Sequence, residues 1–344
     1  MEYPPVTVII PHWNGEAFLR SCLSSLARTT YPAMAVLVVD NGSTDSSVSM
    51  VHHEFPDVKI YQSPVNLGYT GGCNLGIRHS QSPFFVLLNN DTEVAPDWLD
   101  APMRMMAENP NLAGVQPKLR SMLERDRFDY CGGAGGEIDR YGYPFTWGRV
   151  FQFIEKDKGQ YDRSRPIFWA TGAACLVRRE ATRVAGLLDE TFFAHMEEID
   201  LFWRFHLMGY EVAYCPESLV FHYNGGTLGP ETLKKMVLNH RNSQVMLLKN
   251  YSFRTLVWIY PSRIFLEGLT AAGSVLRGDF KRIWAVVIGF WGVMRLTPSW
   301  MRERKRVQSI RKVSDEMIMQ KMVRNSVALG YFLQGKKRAT DFMS

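Results

Sequence analysis

The sequence predicts an α/β protein, with a mostly parallel sheet flanked by helices and then a helical C-terminal region. Three observations lead there. Short apolar runs alternate with stretches of helical spacing from Val6 to Leu88. The chain has 344 residues, 46% of them hydrophobic, enough for a substantial core. Charge is unevenly distributed: residues 241–344 carry 19 Lys+Arg against 6 Asp+Glu, whereas residues 1–240 carry 21 against 28, within an overall net charge of +6.

Val6–Pro11 reads as a buried strand, Phe18–Leu26 as a helix, and Ala35–Asp40 as a second strand halted by Asn41-Gly42-Ser43. Ser46–Phe55 predicts a helix, Val58–Tyr61 a third strand, Gly71–Ser80 a helix and Phe84–Leu88 a fourth strand. This alternation implies parallel βαβ units with right-handed crossovers. In such sheets ligands bind beyond the carboxyl ends of the strands, which is where Asp40 and Asp91 fall. The stretch 115–170 is rich in Gly, Tyr and Arg and weakly periodic, and is expected to form loops and short strands over the site. Beyond it, Thr171–Val177 is small and apolar, and Arg179–Val184 and Ile199–Met208 are expected helices. Glu211–Tyr214 is an expected strand stopped by Pro216, and a strand-like run, Ser218–Phe221, leads into His222. The character changes near residue 232, so we expect a domain over 1–231 and a helical region over 232–344.

Met1–Pro5 runs directly into a strand pattern rather than a secretory leader. The five cysteines (Cys22, Cys73, Cys131, Cys175, Cys215) lack short regular spacing and read as reduced thiols in a cytosolic protein. Leu256–Leu276 and Ile283–Leu296 are apolar and aromatic, interrupted by Arg263, Glu267, Arg277, Lys281 and Arg282. The longest uncharged stretch, Ile283–Met294, falls short of the roughly 20 residues that span a bilayer. Arg302, Arg304, Lys305, Arg306, Arg311 and Lys312 follow. Amphipathic helices beside such a cluster suit an anionic membrane surface, each Lys or Arg contributing on the order of 1 kcal/mol near anionic lipid. The expected location is therefore cytoplasmic, peripheral on the inner face of the cell membrane. The alternatives are a helical bundle docked on the main domain, with a solvated charged face, or helices pairing two chains as a homodimer. Nucleic acid is excluded as a partner because no recognition motif accompanies the charge.

Chemistry concentrates in three places: Asn89-Asn90-Asp91-Thr92 after an apolar strand, Glu197-Glu198-Ile199-Asp200 between aromatic segments, and His222. A carboxylate at a strand tip, a distant imidazole and a third acidic group can build a divalent-metal site with a general base beside it.

Six ordered motifs carry a resemblance: Val8–Gly15, Val38–Asp45, Asn66–Asn74, Leu87–Thr92, Trp169–Ala173 and Phe192–Leu201, closing with His222. Over about residues 5–225 the chain resembles the family 2 glycosyltransferases of the GT-A (Rossmann-like) fold, and most closely their rhamnosyltransferase-like branch. The resemblance implies inverting, metal-dependent transfer of a sugar, rhamnose favoured, from a nucleotide diphosphate. It makes Asp91 and His222 ligands of Mn²⁺ or Mg²⁺. Asn89, standing where the family has an acid, is a weaker, uncharged ligand. Glu198 is the candidate base and Glu197 its rival. The family's usual Glu-Asp is Glu-Glu here, which displaces the carboxylate by roughly 1.5 Å. Asp200 either caps its helix or pairs with Arg204.

Donor contacts are implied at Pro11, His12, Asn14, Asp40, Asn66, Gly68, Gly72, Asn74, Asn90, Trp169 and Gly172. Among them, Asp40 accepts from a pyrimidine N–H, while His12 and Asn14 flank base and ribose, loop packing being their alternative. Gly68 and Gly72 admit the donor closely or simply shape a turn. Asn74 bonds sugar or phosphate, and Trp169 stacks on a sugar or lies in the core. The implied partners are a dTDP- or UDP-sugar and a saccharide or lipid-linked saccharide acceptor. Two rival readings remain. A sugar nucleotidyltransferase would open with a Gly-rich phosphate loop and a Lys or Arg, which Pro11–Gly15 lacks. A non-catalytic carbohydrate-binding scaffold of the same fold would accommodate the departures at Asn89 and Glu198.

Overall fold

The computed structural model describes residues 3–223 and 232–343. The division expected after residue 231 falls at the end of the intervening segment, outside the described residues. Strand β1 (Val6–His12) is buried along its whole length, as an unbroken apolar run must be when parallel strands flank it on both sides. Helix α1 (Glu16–Leu26), strand β2 (Met34–Asp40), helix α2 (Ser47–Glu54), strand β3 (Lys59–Gln62), helix α3 (Gly68–His79) and strand β4 (Phe84–Leu88) follow as expected to within a few residues. They form the parallel half of the sheet, in the order β4-β1-β2-β3.

After β4 come β5 (Thr92–Val94), α4 (Asp100–Glu108) and β6 (Leu112–Ser121). Strand β6 corrects the expectation of loops and short strands from residue 115. It is a ten-residue strand of the main sheet, buried except at its last two positions. Its periodicity is weak because polar residues are buried in it with partners. Gln116 donates to Gly132 O at 3.0 Å and accepts from Thr171 N at 2.9 Å. Lys118 lies between Asp157 and Asp162. Then β7 (Gly136–Ile138), β8 (Pro144–Thr146), β9 (Arg149–Val150) and β10 (Phe153–Ile154) form a separate antiparallel sheet. The short β11 (Arg165–Pro166) precedes β12 (Ala174–Arg178), α5 (Arg179–Ala185), α6 (Glu197–Leu207) and β13 (Glu211–His222).

Strand β12 runs antiparallel between β4 and β6, and β13 lies parallel to β6. The carboxyl ends of β1, β2, β4, β6 and β13 therefore share one edge of the sheet. Pro216 does not stop β13. The register slips between Cys215 and Leu219, and this irregularity absorbs the proline within one continuous strand.

Helices α7 (Leu233–Asn250), α8 (Phe253–Leu276), α9 (Phe280–Arg295), α10 (Thr297–Ile310), α11 (Asp315–Gln320) and α12 (Val327–Gln334) complete the chain. One buried cluster joins Phe192, Trp203 and Phe205 to Val245, Leu247, Tyr251, Val293, Val307 and Ile318, so the two sequence regions share a core. No described helix is long and apolar enough to cross a membrane. Half of the basic cluster expected at a membrane is turned inward instead. Arg304 donates to Leu248 O and Tyr251 O, Arg306 to Ala185 O, and Arg311 to Asn250 O, while Arg302, Lys305 and Lys312 stay exposed. Arg304 and Arg311 cap the carbonyls at the C-terminus of α7, and Arg306 one at the C-terminus of α5.

The two regions are also joined by charge. Asp200, fully buried, does not cap α6. It accepts from Arg204 Nε at 3.0 Å, Lys249 Nζ at 3.1 Å and Asn250 Nδ2 at 2.8 Å. Lys249 also pairs with Asp189. Two anions and two cations thus balance in the interior. Removing one cation leaves a buried carboxylate uncompensated, so Lys249→Met is expected to destabilise the fold by about 3–5 kcal/mol. Chemical denaturation monitored by tryptophan fluorescence measures this.

Candidate functional site

The edge where the strands end gathers most of the expected polar residues. In β1 and β2 the terminal residues His12 and Asp40 are register partners. Asp40 accepts from Ser43 N, which closes the turn after β2. His12 is buried, and Asn90 Nδ2 donates to its Nδ1 at 2.8 Å. Burial lowers the His12 pKa although Asp45 and Asp40 oppose the shift, so the ring is neutral. Its proton then sits on Nε2, a buried atom with no hydrogen-bond partner among the described residues.

Next along the edge, His222 at the end of β13 lies between two carboxylates. Its Nε2 is 3.2 Å from Asp91 Oδ1 and 3.3 Å from Asn89 Nδ2, and its Nδ1 is 3.1 Å from Asp129 Oδ1. Burial opposes an imidazolium here, but Asp129 and Asp91 outweigh it and raise the His222 pKa well above the ordinary value. The Asp91–His222 spacing also fits neighbouring ligands of one cation, roughly 3 Å apart for bonds of about 2.1 Å. A cation there replaces the imidazole proton. Asp91 and His222, with Asn89 beside them, could therefore share a divalent metal.

Asp129 was not visible in the sequence. It is buried after β6, where the chain folds back so that Asp129 N donates to Leu119 O. It lies 93 residues from His222, outside any recognisable ligand spacing. With Cys131 it forms a cluster whose ligand atoms, His222 included, lie within 4.8 Å of one another. A hydrogen bond from His222 Nδ1 to a carboxylate fixes which ring nitrogen faces Asp91.

Glu197 and Glu198 begin α6. Burial raises both, and they repel each other. Glu197 is the deeper, 3% exposed, and interacts with Tyr69 and Cys73 of α3. Glu198 is only partly buried, and backbone N–H groups including that of Gly172 stabilise its anion, leaving its pKa at about 7. Short links join it to Asp91. Ala173, next to Gly172, accepts from Asn89 N at 3.0 Å, and the Asn89 amide lies against His222. Gly172 has a tight fit of its own: its carbonyl accepts from Tyr69 Oη at 2.6 Å, and a Cβ would lie 2.6 Å from that same oxygen.

Several expected donor contacts are committed elsewhere. Trp169 is core: it is 3% exposed, donates from Nε1 to Glu137 O at 2.9 Å, and leaves no room for a Cβ at Gly136. Asn74 is buried and spends its amide on both backbone atoms of Leu188 and on Glu190. Asn14 accepts from Thr44 N at 2.8 Å and braces two loops. Asn66 accepts from Gly68 N in the turn before α3. Gly72 packs against Asn41 and Pro11, so the close approach that it permits, and the role of Pro11, are within the protein. Gly68 (φ +72°) makes room for Phe193, whose ring a Cβ would meet at 2.6 Å.

This edge, with acids, amides and an imidazole around the strand ends, is that of a transferase with a nucleotide-binding α/β domain. A model of glycosyl transferase family 2 matches residues 7–184, just over half of the chain, and the chain belongs to that family. It is a glycosyltransferase. It is similar to the N-acetylglucosaminyl-diphospho-decaprenol L-rhamnosyltransferase of Mycobacterium tuberculosis, at 26% identity over 292 residues, 80% of this chain and 94% of that protein. The O-antigen biosynthesis protein RfbC of Myxococcus xanthus is 26% identical over 65% of this chain, which spans 18% of that longer protein. Among solved structures, GalNAc-T7 with UDP, GalNAc and Mn²⁺ superposes with a TM-score of 0.59 at 16% identity, over 76% of this chain and 50% of that one. The Pyrobaculum calidifontis mannosyltransferase PcManGT, in complex with GDP-Man and Mn²⁺, gives 0.52 at 14% identity, over 90% and 86%. Residues 1–349 of S. aureus TarS give 0.53 at 15% identity, over 92% of each chain. The fold is GT-A, as the sequence motifs implied.

The His222 environment yields a direct check. In ion-free protein, Asp129→Asn is expected to lower the His222 pKa toward its ordinary value, because it removes the carboxylate that most strongly opposes the effect of burial. NMR titration of the His222 ring carbons reads this shift.

Proposed function

We propose that the chain moves a hexosyl group, rhamnosyl favoured, from a dTDP- or UDP-sugar to a hydroxyl of a saccharide or lipid-linked saccharide, with inversion. The carrying observation is the short series of contacts from Glu198 through Gly172, Ala173 and Asn89 to His222 and Asp91, which sets a carboxylate beside a potential cation site. The similarity to a full-length rhamnosyltransferase named for a lipid-linked substrate supports the choice of sugar and acceptor.

In this reading Asp40 and the unpartnered His12 Nε2 bind the nucleoside. Asn90 keeps the His12 ring neutral and oriented. Asp91 and His222, with Asn89, would hold Mn²⁺ or Mg²⁺, and Asp129, following β6, orients the His222 ring through Nδ1 so that Nε2 faces Asp91. The bound ion offsets the negative charge that develops on the diphosphate leaving group. Glu198 takes the proton from the acceptor hydroxyl as its oxygen approaches the anomeric carbon from the side opposite the diphosphate.

We further propose that residues 1–231 carry this chemistry and that residues 232–344 bring it to a lipid surface. The charges that interrupt α8 point inward: Arg263 pairs with Glu267, which also accepts from His240. Its outer face is consequently apolar, with Phe253, Val257, Phe265, Leu269 and Leu276 exposed at intervals of one or two turns. Helix α9 exposes Phe280, Trp284, Ile288 and Trp291 in the same rhythm. Exposed Arg254, Arg277, Arg295, Arg302 and Lys305 flank these faces. That combination suits the anionic inner leaflet of a cell membrane.

Three outcomes test the proposal. Glu198→Gln is expected to lower kcat for donor turnover by about 100- to 10,000-fold with nucleotide binding retained. Wild-type kcat is expected to fall on the acid side of about 7, since the base acts as its carboxylate and is lost on protonation. Trp284→Ser with Trp291→Ser is expected to release the protein from phosphatidylglycerol vesicles in a sedimentation assay. Full activity in Glu198→Gln, or in Asp91→Ala, would remove the catalytic reading.

A further inference from the structure

We propose that Asn242, on α7 in the C-terminal region, is a positioning residue for Glu198. The inference rests on the reading of Glu198 as the base. The chain enters α6 through a strained segment in which three residues bearing a Cβ adopt left-handed backbone: Phe193 (φ 63°), His195 (φ 69°) and Met196 (φ 73°). Such conformations persist only where surrounding contacts over-determine them. Asn242 supplies these contacts. Its Nδ2 is 3.1 Å from Phe192 O, 2.9 Å from Ala194 O and 2.8 Å from His195 O, and the residue is fully buried. Its Oδ1 accepts from Arg241 Nε at 2.8 Å, which fixes the amide so that its donors face the loop. The Arg241 guanidinium continues to Thr191 O at 2.9 Å.

The other side of the loop is held from α3. Phe193 O accepts from Thr70 N at 3.2 Å, and at Gly68 a Cβ would lie 2.7 Å from that oxygen. The segment is thus clamped between the turn that opens α3 and the middle of α7. Met196 is the N-cap of α6, and the next two residues are Glu197 and Glu198. The backbone angles that Asn242 stabilises therefore set where the Glu198 carboxylate points. The helices that carry the exposed apolar faces pack on this same α7. The C-terminal region then completes the catalytic geometry as well as locating it.

The test uses the full-length chain with Asn242→Asp, which keeps the shape but removes the donors, and Asn242→Gln, which keeps the amide. Turnover of dTDP-rhamnose and UDP-sugars, UDP and dTDP binding by calorimetry, and hydrogen exchange are measured for each. For Asn242→Asp we expect kcat to fall by about 100-fold, the size of effect that misplacing a catalytic group by about 1 Å produces. Nucleotide affinity and donor KM should stay unchanged, and the acid limb of the kcat profile should move. Exchange should accelerate over residues 192–199 while β4 keeps its protection, and Asn242→Gln should recover part of kcat. Parallel loss of kcat, nucleotide binding and melting temperature would reduce Asn242 to a folding role, and unchanged kcat and exchange would overturn the proposal. If the wild type turns over no nucleotide sugar, the reading of Glu198 fails separately. The exchange data then still decide whether Asn242 holds the loop.

Discussion

The interior ion cluster around Asp200 is the constraint on which the remaining arrangement depends. Asp200, Arg204, Asp189 and Lys249 carry two charges of each sign in a region without water access, and each charge is tolerable only because the others are present. The cluster joins three parts of the chain: Lys249 and Asn250 come from α7, Asp200 and Arg204 from α6, and Asp189 from the loop that leads into the site. Arg204 also donates to the carbonyls of Gly186 and Leu187, so that loop is tied at both ends. Helix α6 cannot be seated without α7, and the carboxylates at the start of α6 cannot be placed without α6. The first helix of the C-terminal region is in this way built into the acidic edge of the sheet.

The parts of this legible in the sequence were those with local signals. Apolar runs gave the parallel strands, and short motifs led to Asp91, His222 and Glu198, which the fold brings to one edge. The misses have specific physical causes. Strand β6 hid because Gln116 and Lys118 are polar yet buried with partners, which breaks the expected alternation. Pro216 looked like a terminator because a strand that absorbs a proline through a register shift is not distinguishable by pattern from two strands. Trp169 occupies a motif position but fills space against Gly136, and an aromatic residue carries no sequence mark that separates packing from stacking. Asp129 and Asn242 act across 93 and 47 or more residues, and nothing local in Phe128-Asp129-Tyr130 or in α7 announces a partner at that distance.

The adjacent pair Glu197-Glu198 illustrates how one helix terminus yields two different carboxyl groups. The unpaired N–H groups of a helix start favour an anion. Two anions side by side in a buried setting are disfavoured, so one proton is retained. Glu197 faces Tyr69 and Cys73, with no cation to offset it, and Glu198 faces the Gly172 N–H at the edge of the cleft. Gly172, whose N–H stabilises the Glu198 anion, is itself held by the contact of its carbonyl with Tyr69, and a Cβ there would meet the Tyr69 hydroxyl.

The C-terminal helices follow an inverted logic that the sequence obscured. Charges inside an apolar stretch ordinarily mark the solvent side of an amphipathic helix. In α8 the reverse holds: Arg263 and Glu267 satisfy each other inside, together with His240 and the Tyr141 carbonyl, so the surface left outside is aromatic and aliphatic. The inward turn of Arg304, Arg306 and Arg311 has the same effect on α10, converting half of an apparent basic patch into carbonyl caps. Exposed Arg254, Arg277 and Arg295 remain at the ends of α8 and α9. A helix pair built this way gains little from water and loses little by leaving it, because its polar groups are already paired within the protein. Its contact with a lipid surface would therefore be set chiefly by apolar area, with charge contributing at the rim, and salt should weaken that contact far less than it weakens binding carried by a polybasic tail.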